Sequence, residues 1–277
     1  MLSDRGAFAP SLSEMLDRAI AQHQLPPTVV VAVDGSSKFG CSQYINSSWI
    51  GPHMDHFDQE VIPTVESFLG LRVNQDQRMI MGHSSGGFGA MVFAMLRPSR
   101  ISHVVSFAGD CWYEHMYRQM IPTCISVNEK YKSLSAFVEA FFSRPNPMSQ
   151  SSSAEIETMM LMNMCQCYAP NPDVPTLFCD LFFDLHTGEL NPKIWEKFLA
   201  WDPLLMVDQY KENVRTLKTF SLRAGSRDQY GLQLGHRQIA KKLTSHGIHH
   251  ELIEFDANHG GYYFRFFDAI QDVFSSL

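Results

Sequence analysis

The chain has 277 residues, 45% hydrophobic and 18% charged, which suits one compact domain with room for a large insertion and an ample core. Its net charge of -7 comes without a long run of one sign, which indicates neither nucleic acid nor an anionic membrane surface as partner. No apolar run approaches the ~20 residues of a membrane span, and Met1 to Gly6 lacks the apolar stretch of a signal peptide.

Six cysteines (Cys41, Cys111, Cys124, Cys165, Cys167, Cys179) are scattered without paired C-x-x-C spacing. That pattern reads as reduced thiols in a cytoplasmic protein, with a secreted form carrying one or two disulfides as the alternative. The many Met and Phe residues are read as core filler rather than a cofactor site.

In chain order, Ser11 and Glu14 form a capping box that opens a helix. Leu12, Met15, Leu16, Ala19 and Ile20 make its apolar face, and Pro26-Pro27 closes it. Thr28 to Val33 is an unbroken apolar and β-branched run, expected to be a strand buried on both faces. A polar loop follows to Pro52. A helix is expected from about Asp55 to Leu69, with Phe57, Val61, Ile62, Val65 and Phe68 inward and a kink at Pro63.

Met79-Ile80-Met81 reads as a strand end. It breaks into Gly82-His83-Ser84-Ser85-Gly86, a G-x-S-x-G match, and Phe88, Met91, Val92 and Met95 then follow at helical spacing. Strand, sharp turn and helix are the context a nucleophile elbow requires. The turn forces Ser84 into a strained backbone conformation, and Gly82 and Gly86 let strand and helix approach. A glycine-rich loop that only packs or binds phosphate is the competing reading. Ser85 is the poorer nucleophile because residue 83 is His, not Gly.

A strand is expected near Ile101 to Phe107, ending at Ala108-Gly109-Asp110. From Cys111 to Met206 helical periodicity dominates, interrupted by a Pro/Ser-rich loop from Pro145. Ser152 and Glu155 cap one helix there, and Asn191-Pro192 opens another. A stretch of about 95 residues is far longer than an ordinary connection, so 111–206 is read as a helical insertion within a single domain. Alternation then returns: strand Leu217 to Leu222, helix Arg237 to Ser245, strand His250 to Phe255, helix Phe264 to Phe274. Strands alternating with helices give an α/β fold with a mostly parallel sheet flanked by helices.

A serine hydroxyl needs a base, and the base needs a carboxylate to fix its tautomer. In the order nucleophile, acid, histidine, the chain offers Asp228 after a strand end and His259 after the last strand. Asp256 is the rival acid, three residues before the base in the same loop. A helix cap or solvated loop is the ordinary account of Asp228. Asp110 fits a substrate-binding or loop-ordering role. His53 and His56, three apart, lack a matching carboxylate or cysteine cluster, so a solvated helix face is preferred and no metal is expected. His83 lies inside the elbow and is not assigned as base.

With these residues the chain resembles the esterase branch of the α/β-hydrolases, which includes enterochelin esterases, S-formylglutathione hydrolases and mycolyltransferases. The resemblance spans nearly the whole chain. It is carried by Asp34-Gly35, Gln43-Tyr44-Ile45-Asn46-Ser47, Gln59 to Pro63, the Gly82 to Gly87 elbow, Gly225 to Tyr230 and Phe255 to Gly261. It implies an α/β-hydrolase fold, no cofactor, and Ser84, Asp228 and His259 as catalytic triad, with Ser85 N–H in the oxyanion hole. The family also begins with two or three strands, one closing in His-Gly, whose loop supplies a second oxyanion amide. Nothing before Thr28 reads as a strand, and Met1 to Ala9 would fall just after that loop. An N-terminally truncated chain is therefore expected, with loss of one oxyanion donor costing ~3–4 kcal/mol of transition-state stabilisation.

The resulting expectation is a serine esterase acting on a small-molecule ester through an acyl-enzyme. The alternatives are an acyltransferase using the same triad, and a binding protein on an esterase fold. Trp112, Tyr113, Phe182 and Phe183 are candidates for the pocket wall, with Trp112 placed beside substrate. Core packing accounts for them equally well.

Overall fold

The computed structural model describes residues 10–261 and 264–274; Met1 to Ala9 lie outside them. A short antiparallel pair, β1 (Asn46–Ser47) and β2 (Gly51–Pro52), precedes the main sheet. That sheet has four strands, β3 (Met79–His83), β4 (His103–Phe107), β5 (Thr219–Gly225) and β6 (Glu251–Phe255), in the order β3-β4-β5-β6. Every pairing is parallel, with Gly82 beside Ser106, Ser106 beside Leu222 and Leu222 beside Leu252. The inner strand β4 is buried along its whole length, with Val104, Val105 and Phe107 in the core and the polar His103 and Ser106 buried beside them. Because all strands run the same way, their carboxyl ends share one edge. The elbow after β3 and the loops after β5 and β6 meet there.

Helix α1 (Leu12–Ala21) carries the reciprocal capping box between Ser11 and Glu14, with Leu16 and Ala19 buried. The next expectation is overturned. Thr28 to Val33 forms no strand, and its backbone makes no backbone hydrogen bond among the described residues. Val29, Val30 and Val31 remain 52%, 38% and 46% exposed. A β-branched run favours a pleated, half-buried setting, but a strand exists only where a neighbour supplies donors and acceptors. Within the sheet β3 pairs with β4 alone, and no strand of the described residues reaches its other edge.

The second helical stretch has two parts, α2 (His53–His56) and α3 (Ile62–Phe68), joined by a π-helical turn over Phe57–Val61. Pro63 cannot donate to a preceding carbonyl, so the ladder is reset just before it, with Ile62 N–H reaching Phe57 O. Phe68 was expected to face inward; it is 86% exposed at the frayed end of α3, beyond the reset.

Helix α4 (Ser85–Leu96) follows the elbow and is buried from Gly87 to Met95. A helix apolar on all sides belongs in the middle of a fold. Between β4 and β5 come α5 (Tyr113–Met116), α6 (Ile121–Tyr131), α7 (Leu134–Phe142), α8 (Ser153–Tyr168), α9 (Pro192–Leu199), α10 (Pro203–Gln209) and α11 (Lys211–Arg215). Ser152 and Glu155 form a second reciprocal capping box on α8, and Asn191 caps α9 ahead of Pro192. Helix α12 (Leu232–Ser245) starts five residues before Arg237, and α13 (Arg265–Phe274) closes the described chain. The early start was hidden by Gly235, a poor helix former. It is needed because a Cβ there would stand 2.5 Å from Cys111 Sγ.

Candidate active site

β3 delivers the chain into Ser84, whose backbone is held at φ +57° and ψ −125°. For a non-glycine residue this conformation costs ~1–3 kcal/mol and persists only where neighbours enforce it. The neighbours do so. Ser84 N–H donates to Phe107 O at 2.9 Å, and Phe88 N–H donates to Ser84 O at 2.9 Å. A Cβ on Gly82 would stand 2.4 Å from the Gly86 backbone, so the strand and helix approach as closely as the turn demands. A Cβ on Gly86 would meet nothing within 4 Å; the tight side of the contact is at Gly82.

His259 lies in the loop after β6. Its Nε2 stands 3.0 Å from Ser84 Oγ and its Nδ1 2.7 Å from Asp228 Oδ2. An ionised carboxylate only accepts, so Nδ1 carries a proton. In the neutral ring Nε2 then presents its lone pair to the serine hydroxyl. Asp228 is fixed in turn: its Oδ1 accepts from Tyr230 N–H at 2.9 Å, and its side chain is fully enclosed. The rival Asp256 is 79% exposed and bridged to Arg227. The structure therefore brings Ser84, His259 and Asp228 together and leaves Asp256 out.

Ser85 is the first residue of α4, and its N–H has no partner among the described residues. It joins the group at the helix N-terminus, where backbone donors and the helix dipole favour negative charge.

Asp110 is 1% exposed rather than lining an open site. Its Oδ2 accepts from Gln43 Nε2 at 3.1 Å, while Oδ1 has no hydrogen-bond partner among the described residues. Burial pushes its pKa up to about 6. Gln43 and the adjacent Tyr44 both hold positive φ, 55° and 56°, which turns the Gln43 side chain inward. Trp112 is also left-handed, and its N–H donates to Asp202 at 2.9 Å. Its indole stacks on His115 with centroids 4.6 Å apart. Tyr113, Phe182 and Phe183 are buried in the helical core, Phe182 against Trp195 and Phe198, and line no open wall.

Three residues near His259 are not site residues in the sequence reading. His83 has its ring centroid 4.6 Å from that of His259. Gln229 accepts from His259 N–H at 3.1 Å. Tyr230 packs edge-on against the His259 ring at 4.8 Å. Their signals in the sequence are adjacency to Ser84 and Asp228 and their place in the segments that carry the family resemblance. A groove of about 680 Å³ lies between α6 and the loop at Thr187 to Leu190, and none of Ser84, His259 and Asp228 lines it.

Comparison with known proteins agrees with this architecture. The model of the family described as "Putative esterase" matches residues 10–272. No curated protein matches the sequence. Among solved structures, a ferulic acid esterase is 12% identical with a TM-score of 0.57, over 94% of this chain and 75% of that one. The fluorophosphonate-binding serine hydrolase F of Staphylococcus aureus is 14% identical with a TM-score of 0.53, over 97% and 80%. The enterobactin esterase of Shigella flexneri is 16% identical with a TM-score of 0.50, over 94% and 47%. At these identities the likeness is one of fold, the α/β-hydrolase fold. No helix among the described residues is long and apolar enough to cross a membrane.

Proposed function

Because the chain belongs to the family described as "Putative esterase" and is thereby a carboxylic ester hydrolase, we propose that it cleaves a small-molecule ester through Ser84, His259 and Asp228. The observation that carries this reading is the unbroken line of hydrogen bonds from Ser84 Oγ through both His259 nitrogens to Asp228.

Ser84 Oγ attacks the ester carbonyl as His259 Nε2 takes its proton. The carbonyl oxygen becomes an oxyanion, and Ser85 N–H donates to it. Asp228 holds the imidazole in the useful tautomer and stabilises its charged form. The carbon–oxygen bond to the alcohol then breaks, and His259 returns the proton to the leaving oxygen. This leaves an acyl group on Ser84. Water repeats the sequence: His259 takes its proton, the carboxylic acid departs, and Ser84 regains its hydrogen. The strained φ of Ser84 serves this chemistry by holding Oγ at the sheet edge toward the base, at 3.0 Å.

A fluorophosphonate probe tests the reading. It should label the purified protein at one site, found by mass spectrometry on Ser84. Ser84→Ala should lose both the label and turnover of p-nitrophenyl esters with little change in thermal unfolding. Retained turnover in Ser84→Ala would remove this serine from the mechanism.

A further inference from the structure

We propose that His83 and Gln229 are positioning residues that together clamp the main chain of His259 and so set the distance between base and nucleophile. The proposal rests on the reading of His259 as the base.

The loop that carries His259 has little to hold it. β6 ends at Phe255, and a Cβ added at Gly260 or Gly261 would meet no described residue within 4 Å. Backbone pairing with the Asp228 loop runs only as far as Ala257, through Ser226 N–H to Phe255 O and Arg227 N–H to Ala257 O. Among the described residues no backbone–backbone hydrogen bond reaches Asn258 to Gly261.

The peptide groups of His259 are instead met by two side chains. Gln229 Oε1 accepts from His259 N–H at 3.1 Å, and His83 Nε2 lies 2.5 Å from His259 O. A carbonyl only accepts, so His83 carries its proton on Nε2 and donates it. The two clamps come from the immediate neighbours of the other reacting residues. His83 precedes Ser84, and Gln229 follows Asp228. Each partner of the base thus has, one residue away, a side chain that grips the base's backbone.

The choice of a histidine at 83 has a physical reason. The ring is partly buried, and burial, reinforced by the neighbouring His259, pushes its pKa down to about 4. It is a neutral donor at working pH. A permanently charged donor 4.6 Å from the His259 ring would oppose the imidazolium that must form in the transition state. Proton transfer is steep in geometry, and a misplacement of about 1 Å costs about 100-fold in rate.

The test uses the full chain and four variants. His83→Leu and Gln229→Leu remove one clamp each; His83→Gln and Gln229→Glu retain a donor and an acceptor respectively. The leucine variants should lower kcat about 10- to 100-fold with KM within about 3-fold, and slow fluorophosphonate inactivation by a similar factor. The conservative variants should recover to within about 3-fold of the parent. Gln229 is exposed, so its replacement leaves the fold intact and decides the matter if His83→Leu does not fold.

Parental kcat in Gln229→Leu would overturn the clamp. So would a His83→Leu defect that tracks a loss of thermal stability and is not rescued by His83→Gln. Ser84→Ala and His259→Ala run alongside. If both are inactive while the leucine variants are normal, the clamp alone fails. If either keeps parental activity, the base assignment and the clamp fall together.

Discussion

His259 Nδ1 stands 2.7 Å from Asp228 Oδ2, although thirty-one residues separate them, while Asp256, three residues from His259, turns outward to Arg227. Parallel neighbours explain the difference. β5 and β6 end side by side, so the loop after β5 faces the loop after β6. Asp256, on the β6 loop itself, leaves the strand pointing to solvent.

Asp228→Asn should therefore lower kcat by about 10⁴-fold, because the amide would favour the wrong tautomer of the base. Asp256→Asn should change it by less than about 3-fold, since the residue is exposed and its ion pair with Arg227 lies at the surface. Steady-state kinetics on a p-nitrophenyl ester at pH 8 compares them. Reversed effects would move the acid to Asp256.

A second expectation concerns Asp110, buried beneath the site with one oxygen unpartnered. Its folded pKa of about 6 is raised above the ordinary 3.8, first by burial. For a raised carboxyl the stability is fully present below pH 3.8 and is lost as pH rises through about 6. The loss is at most on the order of 3 kcal/mol. Asp110→Asn keeps an acceptor for Gln43 and removes the titration. Relative to the parent it should gain stability between pH 4 and pH 7.5 as read by urea denaturation at both values. A constant difference across that range would show that Asp110 stays ionised throughout.

The elbow gives a third expectation. Gly82→Ala places a methyl 2.4 Å from the Gly86 backbone, a collision that no side-chain rotation relieves. The strand and helix must separate, which carries Ser84 away from His259. Probe labelling at Ser84 should fall more than 10-fold, with thermal unfolding lowered as well. Parental labelling would mean that the turn tolerates a wider crossing than the one seen.

Much of this arrangement was legible in the sequence because it rests on short-range signals. Capping residues at Ser11, Ser152 and Asn191, and the glycines around Ser84, act within a few residues of themselves. Asp228 and His259 were legible because chain order and position after strands limited the choice. What escaped depends on partners distant in the chain. Val29 to Val31 have the composition of a strand but no strand among the described residues to pair with. Gln229 and His83 show their role only once the loop after β6 is folded over them. Gln43 was noted as part of a motif, yet its contact with Asp110 spans 67 residues. The burial of Phe182 likewise follows from how α9 lies on it, and Phe183 packs against Phe182.

The last expectation concerns what holds the long helical segment between β4 and β5 in place. Glu155, 3% exposed at the start of α8, gathers three neighbours from other elements. Lys130 Nζ donates to Oε1 at 2.9 Å, Tyr131 OH donates to the same oxygen at 2.5 Å, and Arg144 Nη1 reaches Oε2 at 3.2 Å. Ser152 N–H adds a fourth bond at 2.9 Å as part of the capping box. Burial alone would raise the Glu155 pKa, but these donors outweigh it and hold the carboxyl well below the usual range. Tyr131 gives the largest lowering, followed by Lys130, the Ser152 N–H and Arg144, and the Lys130 share is screened because that side chain is largely exposed. The sign follows: a lowered carboxyl pKa gives stability that is present above the ordinary value of 4.5 and is lost as pH falls below it. Glu155→Gln should thus destabilise the protein by roughly 3 kcal/mol at pH 7, where it leaves the Arg144 charge half-enclosed without its partner. The deficit should shrink toward pH 3.5, where the unfolded parent chain takes up the proton that the folded carboxyl refuses. Guanidinium denaturation at the two pH values measures it. A deficit that is the same at both would show that packing, not the charge of Glu155, anchors α8.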